Sequence, residues 1–266
     1  MPIRFFAGLI ALLSFAVPLL AEAPRKLLLV GQGPDGHPPQ THEYVAGLRI
    51  LKKCLDPIAA LEIVSVRADE PWKEGPELIE RADGVVLFLS EGAKWAQADP
   101  KRSEALNRLA KRGGGVVGLH WGIGTKDAAN IDGFLKLVGG CHGGPDRKYA
   151  VLETEVRPNG KHEIAAGIGP FKVRDEFYYR LKFARTGKLE PVLRAQFDGS
   201  EETIAWAWER PDGGRSFGFS GLHFHENWGK EQYRRLVAQG VLWTLKKLIP
   251  KEGLRVEVSD ADLKVK

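Results

Sequence analysis

The stretch Gly113-Gly114-Gly115-Val116-Val117-Gly118-Leu119-His120-Trp121-Gly122 reads as a short apolar strand that ends at a small-x-His-x-small turn. In α/β proteins a Gly-x-nucleophile-x-Gly turn lifts one side chain to the carboxyl edge of the sheet, where its neighbours must be small. The lifted residue here is His120, neither serine nor cysteine. An imidazole in that place can bind a metal or move a proton, but it is poorly suited to a durable acyl-enzyme. A second group is Ser216-Phe217-Gly218-Phe219-Ser220-Gly221-Leu222-His223-Phe224-His225-Glu226-Asn227, a strand running into a polar turn. Residues two apart on a strand face one side, so His223 and His225 are expected to share a cavity, a common spacing for metal ligation.

The elements that must position these histidines follow from hydrophobic patterning. Arg25 to Gly31, Leu61 to Val66, Gly84 to Ser90 and the His120 run read as strands, with helices over Glu43 to Cys54 and Lys101 to Lys111. The alternation β-α-β-α-β-α-β with short joints predicts a parallel, doubly wound sheet, whose ligands sit beyond the carboxyl ends of its strands. His42 and His37 follow the first strand and would share that edge with His120. From Tyr149 the pattern becomes strand-rich: Tyr149 to Val156, Tyr178 to Ala184, Glu190 to Phe197, Thr203 to Glu209 and Arg215 to Phe224. This predicts a β-rich extension of the sheet. A helix over Lys230 to Leu248 would cover the sheet, and the residues after Pro250 read as a loose charged tail.

Composition bounds the function. The 266 residues are 43% hydrophobic and 27% charged, which suits one fairly large α/β domain or two small ones. Arg4, the apolar run Phe5 to Leu20 and the small-x-small site Ala21-Glu22-Ala23 predict a signal peptide over 1–23, hence a periplasmic or extracellular protein with no membrane contact after cleavage. The net charge of +5 is scattered, with no basic run, and speaks against nucleic acid as a partner. Cys54 and Cys141 are too few for a disulfide scaffold, and Cys54 falls on the buried face of a helix.

These residues together resemble a family. Gly118-Leu119-His120-Trp121-Gly122 resembles the nucleophile elbow of class I glutamine amidotransferases with histidine in place of cysteine, and His225 stands at the place of that triad's histidine, with Asn227 at its acid position. With Thr41-His42-Glu43-Tyr44, Ala46-Gly47, His162-Glu163-Ile164, Asp175-Glu176-Phe177-Tyr178-Tyr179 and Asn227-Trp228-Gly229, the chain over roughly 25–248 is similar to the ThuA-like (trehalose utilisation) family. The resemblance implies a flavodoxin-like, mostly parallel sheet over 24–250 followed by the tail 251–266. It also implies a saccharide as small-molecule partner, of the 3-keto-disaccharide kind, and a sugar dehydrogenase of the same pathway as a second partner. Glutamine hydrolysis needs a thiolate at the elbow and an acid behind the histidine, and the sequence offers neither.

The expected chemistry is metal-assisted, by a hydrolase or lyase on a sugar. A zinc- or manganese-like ion would take His120 and His225 as ligands, His42 as the third and His223 in reserve, leaving a coordination position open. Asp175 or Glu176 would carry protons, beside the ligand His120. Trp121, Tyr178, Asn227 and Trp228 would contact the saccharide, and Tyr179 is a further aromatic for stacking. The alternative is a non-catalytic saccharide-binding or assembly module on the same fold, which would keep the aromatics and need no ordered histidine cluster.

Overall fold

The computed structural model describes residues 23–265, so nearly all of the expected signal peptide lies outside the described residues. In chain order the elements are β1 (Arg25–Gly31), α1 (Tyr44–Leu55), β2 (Leu61–Arg67), α2 (Gly75–Arg81), β3 (Gly84–Phe88), α3 (Gly92–Ala98), α4 (Pro100–Lys111) and β4 (Gly115–Leu119). They are followed by α5 (Ile131–Val138), β5 (Gly140–Cys141), β6 (Lys148–Pro158), β7 (Phe171–Tyr179), β8 (Lys182–Phe183), β9 (Lys188–Phe197), β10 (Ser200–Glu209), β11 (Arg215–Phe219) and α6 (Glu231–Thr244).

Nine strands form one sheet in the order β2-β1-β3-β4-β11-β10-β9-β6-β7. The first five run parallel, and the remaining pairings are antiparallel. This is the doubly wound sheet with a β-rich extension that the patterning predicts. β1, β3 and β4 carry near-continuous apolar runs because helices cover both faces. One layer packs Leu27, Leu29, Val86 and Val117 under α1 and α6. The other packs Leu28, Val30, Val85 and Val116 under α2, α3 and α4. Short helices α2, α3 and α5 were not marked by the sequence pattern, since seven or eight residues give barely two turns of periodicity.

β6 and β7 make a long two-stranded ribbon, paired from Lys148↔Tyr179 to Val156↔Phe171, while β6 joins the sheet only at Arg157 and Pro158. The ribbon brings Asp175 to Tyr179 back towards the parallel sheet. Two expectations are corrected. The strand ending at Phe224 stops at Phe219, residues 220–223 are irregular, and Phe224 makes an isolated bridge with Thr41. The tail is not loose. Leu254 and Val256 are buried, Arg234 and Arg235 donate to the carbonyls of Val256 and Leu254, and Arg49 donates to that of Lys264. Apolar residues alternating within the charged run give that segment a face to bury. No helix among the described residues is long and apolar enough to cross a membrane.

Candidate metal centre

β4 delivers His120 through the turn that its glycines predict. Its φ is +48°, the left-handed region that side chains disfavour, and the following residues to Ile123 form a 3-10 turn. A Cβ on Gly122 would lie 2.3 Å from the Leu87 carbonyl oxygen, and one on Gly92 would lie 2.0 Å from the Gly122 oxygen. Nothing larger than glycine fits behind the turn. His42 also has positive φ, +53°, and its N–H donates to the His223 carbonyl at 3.0 Å. The His225 N–H donates to the Gln40 carbonyl at 2.8 Å, so residues 40–42 and 223–225 are laced together above the sheet edge.

The result is a convergence of three imidazoles. His42 Nε2 stands 3.0 Å from His120 Nε2, and His223 Nδ1 stands 3.2 Å from the same atom. Glu176 Oε1 lies 3.8 Å from His120 Nε2 and 3.6 Å from His223 Nδ1. These four groups are close enough to hold one metal ion. The Tyr178 hydroxyl is 3.1 Å from His120 Nε2.

Tautomers follow from the partners on the far side of each ring. His120 Nδ1 lies 2.9 Å from the Ser220 carbonyl, which can only accept, so the proton is on Nδ1 and the Nε2 lone pair faces the cluster. His42 Nδ1 lies 2.8 Å from an Asp35 carboxylate oxygen that also accepts from the Tyr44 hydroxyl at 2.7 Å. Burial alone would raise the Asp35 carboxyl, but hydrogen bonds from His42 and Tyr44 hold it well below its ordinary range. His42 Nε2 is therefore a lone pair as well. Two lone pairs 3.0 Å apart repel unless a proton or cation lies between them. Burial, with the neighbouring imidazoles, drives the His120 pKa well below its ordinary value and lowers His223 to about 4. Burial likewise lowers His42, against the pull of Asp35. Protonation is disfavoured, and a cation satisfies the geometry. The observed 3.0 and 3.2 Å separations are near the ~3.3 Å edge of a tetrahedron with ligands ~2.0–2.1 Å from zinc. A ligand histidine whose other nitrogen donates to a carboxylate or carbonyl is the usual outer arrangement of such sites.

The expected site residues divide. His42, His120 and His223 come together, with Glu176. His225 does not join them: its Nε2 donates to the Leu263 carbonyl at 2.8 Å, and its Nδ1 is buried without a partner. The strand alternation invoked for His223 and His225 fails because Leu222 has φ +80° and His225 already opens a 3-10 turn. Asp175 does not face the cluster either. Strand alternation puts it on the opposite side of β7 from Glu176, fully buried, where it accepts the N–H groups of Leu222 at 2.7 Å and His223 at 3.1 Å and the Tyr233 hydroxyl at 3.1 Å. It anchors the loop that carries His223. Burial raises its pKa to about 7, with those donors pulling the other way.

The expected saccharide contacts move too. Trp228 is core, against Phe88 and Gly47. Asn227 is buried and donates to the Arg174 carbonyl. Trp121 is buried against His142 and Tyr178. Tyr178 is stacked between His120, at 4.6 Å and 16°, and His142, at 4.0 Å and 8°, so neither of its faces is free and only its hydroxyl edge reaches the cluster. Tyr179 stacks on Phe197, and His162 caps the turn at Glu163–Ala165. Asp35, Tyr44 and His142 were missed, because contacts across space leave no spacing in sequence. His37 lies at the mouth, its side chain 42% exposed, with Nδ1 2.8 Å from Asp35 and its ring 3.7 Å from that of His42. Both cysteines are free and buried, and burial pushes the Cys141 thiol up to about 12.

The family model described as ThuA, trehalose utilisation, matches residues 29–244. The chain belongs to the ThuA family. Its fold is similar to that of a protein from Bacteroides uniformis described as ThuA-like, with a TM-score of 0.64 and 16% identity, over 85% of this chain and 93% of that one. The glutaminase domain of Trypanosoma brucei CTPS, solved with acivicin, aligns with a TM-score of 0.46 and 11% identity, over 88% of this chain and all of that one. No curated protein matches the chain. ThuA membership supports a role connected with trehalose utilisation.

Proposed function

We propose that the His42–His120–His223 site holds a divalent ion of the zinc or manganese kind, and that the chain is a hydrolase or lyase acting on a saccharide of the 3-keto-disaccharide class. The observation that carries this reading is the pair of imidazoles whose Nδ1–H groups are committed to Asp35 and Ser220 while their Nε2 lone pairs face each other at 3.0 Å. An ion held there would polarise a sugar carbonyl and acidify water.

The protein's own groups supply the rest. Glu176 is the acid/base at the cluster. Burial raises its pKa above the ordinary carboxylate range, which brings a proton acceptor closer to neutral pH. The Tyr178 hydroxyl is held at His120 by stacking on both faces, so it is a fixed hydrogen-bonding group at the reacting position. Glutamine hydrolysis finds no support: the elbow residue is His120, and Cys141 sits on β5 with its thiol pushed up to about 12. We also propose export, on the N-terminal apolar run and its small-x-small site, with a sugar dehydrogenase as pathway partner. Intact mass of protein secreted by an expressing cell should show cleavage after Ala23.

The test is metal analysis of purified protein with and without His120→Ala, alongside ketosugar turnover. The expected result is one ion per chain and turnover, both lost in the variant. Saccharide binding that persists undiminished without metal would instead support a binding module.

A further inference from the structure

β7 presents two faces. Val173, Asp175, Phe177 and Tyr179 point into the core, while Arg174, Glu176 and Tyr178 lie on the side of the histidine cluster. Antiparallel partners share a face, so the β6 residues opposite them extend the same surface. Tyr149 is opposite Tyr178, Val151 is opposite Glu176 and Glu153 is opposite Arg174. Tyr149 is 63% exposed and Val151 is 44% exposed, and among the described residues no other Tyr, Trp or Phe is left so open. Directly opposed Cβ atoms are ~4.5–5.5 Å apart, so this apolar lip begins one strand away from the groups at the cluster. The rings expected to stack on sugar are instead buried, Trp228 and Trp121 in packing and Tyr178 between two imidazoles.

We propose that Tyr149 and Val151 form a second saccharide subsite, which takes the ring next to the one bound at the cluster. The proposal rests on the saccharide reading of the histidine site. A pyranose has an apolar face of C–H groups ringed by hydroxyls, and the surface offers the matching pattern. The Tyr149 ring and the Val151 side chain give an apolar platform, and the exposed Glu153 and Arg174 side chains flank it as hydroxyl partners. Arg174 is steadied by stacking over the Phe224 ring at 4.7 Å, beside His223. A sugar's apolar face laid on the Tyr149 ring would take apolar area of both out of water. The subsite makes the chain selective for linked sugars over single ones.

The experiment is calorimetry on metal-loaded protein with trehalose and 3-ketotrehalose as disaccharides, and glucose and 3-ketoglucose as single rings. Wild type should bind a disaccharide more tightly than its single-ring counterpart. Tyr149→Ala should weaken the disaccharide by about 2- to 10-fold, leave the single ring unchanged, and keep the ion stoichiometry and melting temperature of wild type. Tyr149→Phe should restore the affinity, because it keeps the ring. Disaccharide binding unchanged in Tyr149→Ala, or an equal loss for both sizes of sugar, would overturn the subsite while leaving the histidine site standing. A metal-loaded wild type that binds none of the four sugars would refute the saccharide reading, and the subsite with it.

Discussion

Removing the Asp35 carboxylate tests whether the imidazoles are arranged for a cation. Asp35 Oδ2 accepts from the His42 Nδ1–H at 2.8 Å and from the Tyr44 hydroxyl at 2.7 Å, and the His42 side chain is only 2% exposed, so water does not replace it readily. In Asp35→Ala the His42 ring keeps its place but loses what fixes its tautomer, and the form with its proton on Nε2 can no longer donate a lone pair to the cluster. Loss of such an outer partner typically weakens a metal 10- to 100-fold, which is about 1.4–2.7 kcal/mol. The Tyr44 hydroxyl also loses this acceptor but keeps His42 Nδ1 at 2.9 Å as a partner, so the apo protein should lose only about 0.5–1.5 kcal/mol. Tyr44→Phe separates the two effects: it removes the hydroxyl, keeps the carboxylate on His42, and should shift the melting temperature without a comparable loss of metal. Asp35→Asn should fall between, since its carbonyl oxygen can face His42 while its amide turns to His37 Nδ1. Competition against a chelator of known affinity measures the ion, and thermal melts of the apo proteins measure the remainder. Asp35→Ala binding zinc within twofold of wild type would refute the reasoning, because the His42 lone pair would then be aimed by something other than this carboxylate.

Gly122→Ala should lower the melting temperature and weaken metal binding together. Its Cβ would meet the Leu87 carbonyl at 2.3 Å, overpacking costs about 1–3 kcal/mol, and ligand distances tolerate only about 0.2 Å; a variant with wild-type melt and affinity contradicts the tight elbow. His223→Ala should lose stoichiometric metal, whereas His225→Ala should keep it and instead loosen the tail by freeing the Leu263 carbonyl, with metal analysis and limited proteolysis reading the two outcomes. Metal affinity should be flat with pH around neutrality and fall only in more acidic solution, since His223 is lowered to about 4 and His42 and His120 also lie below 6.5. The same depressed values mean that the unfolded chain binds more protons than the folded apo protein below pH 6.5, so apo stability should fall as pH drops from there towards 4. An affinity midpoint near 6.5 would show ordinary, solvated imidazoles.

The sheet was legible because β1, β3 and β4 are apolar throughout, as only strands covered on both faces can be. The elbow was legible because its small residues flank His120 in sequence, and His42 because it follows the first strand of a parallel sheet. Glu176 and Asp175 were visible only as a pair. Strand alternation separates them, but which one faces the histidines depends on the ribbon's orientation, which tertiary packing sets. His225 is not legible from alternation, because β11 ends at Phe219 and Ser220 and Gly221 break the period before the histidines. Asp35, His142 and Tyr149 had no legible signal. Asp35 reaches His42 across a loop, His142 stacks on Tyr178 from another segment, and Tyr149 acquires meaning only through its register with Tyr178.

Nine non-glycine residues among the described residues have positive φ, and four of them, Gln40, His42, His120 and Leu222, lie on the segments that carry the histidines. His42, His120 and Leu222 all adopt positive φ, at +53°, +48° and +80°, and each is a ligand candidate or the residue before one. A side chain in the left-handed region costs about 1–2 kcal/mol, and glycine would adopt it freely. Glycine at 42 or 120 would relieve the backbone but carry no ring. Packing alone gives little reason to keep imidazoles there, because a buried imidazole with its lone pair against another lone pair is worse than an apolar side chain of similar volume. Three strained turns converging on one point therefore make sense if the rings they aim are used there together. The tight Gly118–Gly122 turn lends itself to this use, since it lifts the His120 ring to the sheet edge and leaves its Nε2 facing the other imidazoles.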